Sequence, residues 1–375
     1  AVQLVALWSA VLALGLPPPR VAGGALVWHA HELLLGFGLA AVAGFVLTAV
    51  PEFTATASAS PRTGRLLVLL WLLGRLGVWL SGAAGLPALA LAALAHLGLI
   101  GGLLILLLPA LRTVAGRRQH AFGWALAALF LLAAGFYVDA LRGQYPMRWL
   151  LAVLGLVMVL IIMAMSRISM RIVNRSIDEA GEGGAPYLAR PPKRNLAILC
   201  IVLFTLAEFW HPGGRVSGWL AYSAAAALCN LMGDWHVGRP LLRRWPFMLY
   251  AVYVCMALGY ALIGTALLAG GPGASAGRHL LTMGALGLSI YVVISIAGRA
   301  HCGHPSDERP WVVQGALLIG AGAMLRAGAA FAPEAATALL GMAGMCWVGG
   351  FGLMALRMLP VLWGPRPDGG RGCEG

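Results

Sequence analysis

Trp28-His29-Ala30-His31-Glu32-Leu33-Leu34-Leu35-Gly36 opens an apolar stretch that runs on to Val50, and its reading decides the fold. A helix needs roughly 20 apolar residues to cross a bilayer core about 30 Å thick, and this stretch is of that length. Two imidazoles and a carboxylate therefore sit where water gives way to lipid. Ionisable groups at membrane depth must find partners, and each is a functional-site hypothesis by default. Neutral imidazole is also the commonest metal ligand among side chains. The run points to a membrane protein built to hold a metal cofactor.

The rest of the chain agrees. Of 375 residues, 60% are hydrophobic and only 10% charged, and mean hydropathy is +0.85. Soluble domains carry about 25% charged residues, so a soluble fold is excluded. About twelve stretches have the length of a span. The expected fold is all-α, a polytopic bundle of about twelve transmembrane helices that uses nearly the whole chain as one membrane domain. The net charge of +13 is spread through short loops without an aromatic-interleaved basic patch, which argues against nucleic acid. Cys200, Cys229, Cys255, Cys302, Cys346 and Cys373 lie apart without a C-x-x-C pair, so neither a disulfide framework nor a zinc site is expected.

Expected spans run over 2 to 16, 30 to 50, 66 to 84, 88 to 108, 121 to 139 and 149 to 166, then 196 to 210, 218 to 233, 247 to 269, 279 to 297, 311 to 331 and 335 to 358. The opening run lacks a basic leader and a clear cleavage site, and it reads as the first span rather than a signal peptide. The Arg-rich segment 167 to 195 is expected to be a cytoplasmic linker between two sets of six, with a tail from 359 to 375. No residue-level repeat relates the halves. Loops after even-numbered spans, with the tail, hold 19 of the 26 Lys and Arg residues; the other side holds Arg20, Arg142, Arg148, Arg215 and Arg278. By the positive-inside rule, the even loops and both termini are cytoplasmic.

That topology sorts the polar residues by level. His29, His31 and Glu32 begin span two at the external face, His279 begins span ten there, and His211 follows span seven there. Asp139 and Glu208 lie near the same level. Several candidate ligands thus share one membrane level, which favours a metal or haem site near the external surface. His29 and His31 are two residues apart, about 200° on a continuous helix, so they cannot face one partner. Either one precedes the helix or they serve different partners, with capping and hydrogen bonding to loop carbonyls as the plain structural alternative. His96, inside span four, must bond within the bundle. Arg75 and Arg326 are embedded in apolar surroundings, and a buried guanidinium requires an anion. Haem propionates suit its bidentate fork; Glu32, Asp139, Glu208 and Glu334 would make a structural pair instead. Arg299-Ala300-His301-Cys302-Gly303-His304 has the donors of a short metal motif, though a structural loop explains it equally. Met163, Met165 and Met170 read as helix filler, and His120 and His236 sit among basic loop residues.

Trp28-His29-Ala30-His31-Glu32 with Gly36-Phe37, then Ala43-Gly44-Phe45-Val46-Leu47-Thr48-Ala49-Val50-Pro51, resembles the opening signature of the NnrS family of bacterial membrane proteins. Trp71-Leu72-Leu73-Gly74-Arg75-Leu76 is similar to the family's W-x-x-G-R-x third span. His279-Leu280-Leu281-Thr282-Met283-Gly284-Ala285-Leu286-Gly287 and Gly303-His304 resemble its H-x-L-T-x-G-A-x-G and G-H elements; Arg326 and Gly364-Pro365-Arg366-Pro367-Asp368-Gly369 fit too. The chain departs from the pattern at His96, where an aspartate is expected, at Leu249-Tyr250-Ala251-Val252-Tyr253 in span nine, and after span six, where the usual proline is missing.

The resemblance implies a twelve-span protein of the bacterial inner membrane that binds haem and copper and acts in the response to nitric oxide and nitrosative stress. It singles out His29, His31, Glu32, Arg75, His279, His304 and Arg326. The expected site has a b-type haem with His31 and His279 as axial ligands and Arg75 and Arg326 on its propionates. His29 would hold a second metal, copper, or a bonded water, and His304 is a further metal candidate. Nitric oxide or another small diatomic ligand would arrive through the lipid bilayer, to be captured, sensed or, with an electron donor, reduced as by a membrane oxidoreductase. The competing class is a secondary transporter, in which Arg75, His96, Arg326 and Glu208 bind an anion or relay protons near the midplane.

Overall fold

The structure, a computed structural model, describes residues 19–54, 56–113, 119–181 and 186–370, together with Val11, Leu14 and Gly15. The expected first span, 2 to 16, lies almost wholly outside the described residues, as do Arg117, Arg118, Arg371 and Cys373. Among the described residues there are helices and connections and no strands. That is what lipid dictates, since a helix satisfies its backbone hydrogen bonds within the segment.

The chain forms two compact units. The first takes in residues 16–156 and contains α1 (Gly24–His31), a π-helix π1 (Glu32–Gly38), α2 (Leu39–Thr54), α3 (Pro61–Ala84), α4 (Leu86–Leu111), α5 (His120–Leu141) and the start of α6 (Met147–Ala180). Ser60 caps α3 by accepting from the Thr63 amide at 3.2 Å, with Pro61 in the first turn where its missing N–H costs nothing. Gly85, at φ +63°, lets the chain reverse directly from α3 into α4. On α3, Leu66, Leu69, Leu72, Leu76 and Leu80 are exposed while Leu67, Gly74, Val78 and Ser81 are buried. One stripe meets lipid and the other, largely of small residues, meets the neighbouring helices. Small residues at helix contacts are how membrane bundles pack without a hydrophobic drive between helices.

The second unit, residues 157–370, continues from α6 into α7 (Pro191–Trp210), α8 (Arg215–Met232), α9 (Arg244–Ala269), α10 (Gly273–His279), π2 (Leu280–Leu286), α11 (Gly287–Val293), a short π3 (Ile294–Gly298), α12 (Arg299–His301), α13 (Trp311–Gly328) and α14 (Ala336–Trp363). Successive helices pack as neighbours: α7 on α8, α8 on α9, α9 on α10 and π2, and α13 on α14. Glycines set the closest crossing, because a Cβ on Gly277 would overlap the Gly259 carbonyl oxygen of α9.

Eleven of the expected spans fall on helical segments, and nine of these helices among the described residues are long and apolar enough to cross a membrane. The protein is thus a polytopic, all-helical membrane protein. The described linker is shorter than expected, because α6 continues to Ala180. Its polar end is a sound helix in its own right, with Arg175 paired to Glu179 one turn on at 2.7 Å, so helicity outlasts apolarity there.

A methyl group on Gly277 would force α9 and α10 apart. Gly277→Ala is expected to lower stability by about 1–3 kcal/mol, the usual cost of overpacking. Gly320→Ala on α13 opens onto free space and should be neutral or gain up to about 1 kcal/mol. Unfolding midpoints in denaturing detergent check both.

Candidate functional site

The first unit gathers its ionisable residues into one buried chain. His31 ends α1 and Glu32 begins π1; both are buried, at 0% and 1% exposure. A π segment widens the helix and often marks a functional site. Glu32 faces α3, where Arg75 donates from Nε to Oε2 at 2.7 Å and places an Nη at 2.6 Å from the same oxygen. An isolated buried carboxylate is expensive, and pairing with hydrogen bonds is what makes it tolerable. The other carboxylate oxygen lies 3.3 Å from Nδ1 of His31.

The motif around Arg75 is a clamp on π1. Trp71 donates its indole N–H to the Gly36 carbonyl at 2.7 Å, and the Arg75 guanidinium lies over the Trp71 ring at 4.8 Å, a cation–π contact. Gly36 leaves room for the pair, since a Cβ there would touch Arg75 Nε at 3.4 Å and the Glu32 carboxylate at 3.6 Å. At Gly74 a Cβ would overlap the His96 imidazole. The glycine is required because a ring from α4 occupies that space.

His31 Nε2 lies 3.2 Å from the Tyr137 hydroxyl of α5, and the same hydroxyl lies 2.5 Å from His96 Nδ1. Tyr137 and His96 are themselves buried, and Phe136 stacks on His31 with centroids 5.4 Å apart. The structure thus joins Arg75, Glu32, His31, Tyr137 and His96. Tyr137 was not among the sequence candidates. A lone tyrosine in an apolar span has no motif around it, and its partners lie 106 and 41 residues away. His29 is half-buried on another side of α1, in line with the two histidines serving different partners.

The remaining candidates separate. Asp139 accepts from Arg148 at 2.9 Å and from the Trp149 indole at 2.7 Å, which fastens α5 to α6. In the second unit, Glu208 accepts from the Gly213 amide at 3.1 Å, and exposed His211 closes α7. His279 stands in the second unit as His31 does in the first, as the last α residue before a π-helix, with a glycine five residues on. Its Nδ1 lies 2.8 Å from the Ser275 carbonyl. A carbonyl only accepts, so Nδ1 carries the proton and the neutral ring presents its lone pair at Nε2. That fixed tautomer is the usual arrangement of a metal-binding imidazole. Half-buried Arg326, on the packed helix α13, has no hydrogen bond or ion pair with the described residues.

The loop with His301, Cys302 and His304 is structural in its contacts. Arg299 donates to Pro305 O at 2.9 Å and pairs with Asp307 at 3.4 Å, while Asp307 also takes Arg309 and the Trp311 indole. The Arg309 guanidinium holds the Asp307 carboxyl well below the usual carboxylate range. From the tail, Arg366 donates to the His301 carbonyl at 2.7 Å and pairs with Asp368, which lies against Gly303 at φ +73°.

The fit to metal groups follows from these donors. A haem needs one or two imidazoles and cations for its carboxylates; the Nδ1-protonated ring of His279 and the guanidinium of Arg326 are groups of that kind, whereas His31 Nε2 is bonded to Tyr137 and Arg75 is taken by Glu32. Copper would want three or more donors together, and among the described residues no group of three His, Cys, Asp or Glu side chains is so arranged.

Removing Arg75 would leave a buried carboxylate unpaired. Arg75→Ala should cost about 3–5 kcal/mol, with Glu32→Gln restoring much of it in the double variant, read from detergent unfolding. Asp307 has a lowered folded pKa, so its contribution is present above the ordinary carboxyl value of about 4 and is lost as pH falls through the lower folded value. Asp307→Asn should flatten the acid limb of a thermal-stability profile below about pH 4.

No curated protein and no solved structure matches the chain. The family model described as NnrS protein matches residues 1–366, a span that takes in the π1 clamp and the His279 junction and ends at Arg366. On that match, the chain belongs to the NnrS family.

Proposed function

We propose that the protein is a haem-binding protein of the bacterial inner membrane, with twelve spans and both termini cytoplasmic, acting in the response to nitric oxide. The observation that carries the haem reading is the tautomer of His279, whose Nδ1 proton is held by the Ser275 carbonyl. With Nδ1 protonated, the lone pair of the neutral ring is on Nε2, at the start of an apolar span. Arg326 supports the reading, since a half-buried guanidinium in lipid calls for an anion, and a haem carboxylate is one. When bound, a b-type haem would supply an iron able to take up nitric oxide.

The residues of the chain have separate tasks under this reading. Ser275 orients the His279 ring, Arg326 anchors a carboxylate, and the apolar helices admit a small uncharged ligand from the bilayer. Of the two axial ligands expected, His31 and His279, this reading keeps His279, because His31 Nε2 is bonded to Tyr137. No role for copper is derived from the described residues. The transporter reading is weaker, because two of its anion-binding or proton-relaying groups are committed, Arg75 to Glu32 and Glu208 to the Gly213 amide.

Protein purified after haem-sufficient expression should show a Soret band that shifts on anaerobic addition of nitric oxide. His279→Ala should abolish or displace the band, and Arg326→Ala should weaken haem retention at least several-fold. A purified, folded protein with no Soret band, or an unchanged spectrum in His279→Ala, would overturn the proposal.

A further inference from the structure

At the arginine-rich end of the second unit, a small cavity opens between α6, the start of α7 and the turn that follows α8. Ser166, Tyr187, Arg190, Arg194, Asp234 and Tyr253 line it. Its enclosed part has room for about one water-sized atom. It lies where apolar runs begin and end, since Ser166 closes the run of α6 and Arg194 stands just before that of α7. The walls are held in place. Asn174 accepts from the Tyr187 amide at 2.7 Å and donates to the Tyr187 carbonyl at 3.1 Å. Trp235 packs against both Tyr187 and Tyr253, with ring centroids 5.2 and 5.7 Å away.

The donors around this cavity are not used up within the chain. Tyr253 is 1% exposed, yet its hydroxyl has no hydrogen-bond partner among the described residues. It lies within electrostatic reach of the Tyr187 hydroxyl and the Arg194 guanidinium. Arg194 gives Nε and one Nη to the neutral amide oxygen of Asn195, at 3.1 and 3.0 Å, and pairs with no carboxylate among the described residues. Tyr187 lies 3.2 Å from Ser169 Oγ, which can supply the proton of that bond and leave the phenolic one for the cavity. The one acid is engaged already. Asp234 takes Lys193 at 2.8 Å and the Arg190 amide at 3.2 Å, with Arg190 Nε 3.7 Å away. It offsets one of four cations, because Arg167 stands close enough to Arg194 for their like charges to oppose each other.

We propose that this cavity binds one oxygen of a phosphate-bearing anion at the membrane surface, with the Tyr253 hydroxyl and the Arg194 guanidinium as its donors. A water in the same place would satisfy the phenol and leave the cations unanswered, whereas a phosphate oxygen answers both. The rest of the phosphate would stay at the mouth, where Arg190 is exposed. Such an oxygen belongs either to an anionic phospholipid headgroup or to free phosphate. The position favours lipid. Leu188 and Leu196, one and two residues from lining side chains, are exposed, and basic pockets between membrane helices are where anionic headgroups are held. The site is independent of the haem reading, as none of its residues is assigned to iron.

Thermal unfolding of the purified chain in a neutral detergent tests it, with dioctanoyl phosphatidylglycerol, dioctanoyl phosphatidylcholine and inorganic phosphate titrated separately. Phosphatidylglycerol should raise the midpoint saturably; phosphatidylcholine, whose choline the cations repel, should do so far less. Tyr253→Phe and Arg194→Gln should each weaken the titration about tenfold, the loss of one hydrogen bond to a charged group. Arg175→Gln, which removes a guanidinium already paired with Glu179, should leave it unchanged. Inorganic phosphate as effective as the lipid, with the same dependence on Tyr253, would identify free phosphate as the ligand of this site. Tyr253→Phe removes only a hydroxyl that has no partner in the chain, so it decides the matter even where Arg194→Gln does not fold. An unchanged titration in Tyr253→Phe, no response to either phosphatidylglycerol or phosphate, or an equal response to phosphatidylcholine would overturn the proposal.

Discussion

A carboxylate in the hydrocarbon layer has to be neutralised, and the first unit is arranged around that necessity. Glu32 is answered by Arg75 through two nitrogens on one oxygen. The answer imposes further conditions. The guanidinium needs a short path to π1, which Gly36 provides, and it needs a face to rest on, which Trp71 provides. The helix that carries Arg75 must also admit the His96 ring, and Gly74 meets that condition. The W-x-x-G-R spacing follows from these contacts, each letter answering a different physical requirement of one ion pair.

The second unit uses the same local device with different chemistry. A histidine closes an α-helix, seven residues of π-helix follow, and a glycine sits five residues after the histidine in both places. In the first unit the glycine stands beside an ion pair; in the second, a Cβ at Gly284 would crowd the Cys255 sulfur at 2.8 Å. The arginine on the following long helix is paired in one unit and lacks a described partner in the other. A shared backbone geometry thus serves a histidine beside a buried ion pair in one unit and a histidine held by a backbone carbonyl in the other.

Much of this was readable from sequence because lipid simplifies the rules. Helical segments followed from apolar run length alone, and the demand of Arg75 for an anion was a matter of desolvation, with Glu32 among the named partners. Tyr137 was not readable, since a tyrosine flanked by apolar residues looks like packing, and only folding brings its oxygen to two imidazoles. The end of α6 was misjudged for a related reason. Charged residues end an apolar run without ending a helix, and Arg175 with Glu179 supports the extra turns. The equivalence of His31 and His279 was hidden because it lies in backbone winding, while the surrounding side chains differ. Masked from sequence too was the role of Asp139, which reads as a membrane-level ligand and serves as a fastener between two helices.

The seven-residue winding of π1 also governs which changes in length the gene can tolerate. Each residue of an α-helix turns the chain by about 100°, and one of a wider π turn somewhat less, so a single-codon deletion between Glu32 and Gly38 that left the winding of the remaining residues unchanged would swing everything before it around the helix axis by nearly that amount. His31 and Glu32 would then face away from α3 and α5, although every side chain were kept. Substitutions along the outer, lipid-facing stripe leave this phase untouched. The segment is therefore open to drift in letters and closed to drift in length.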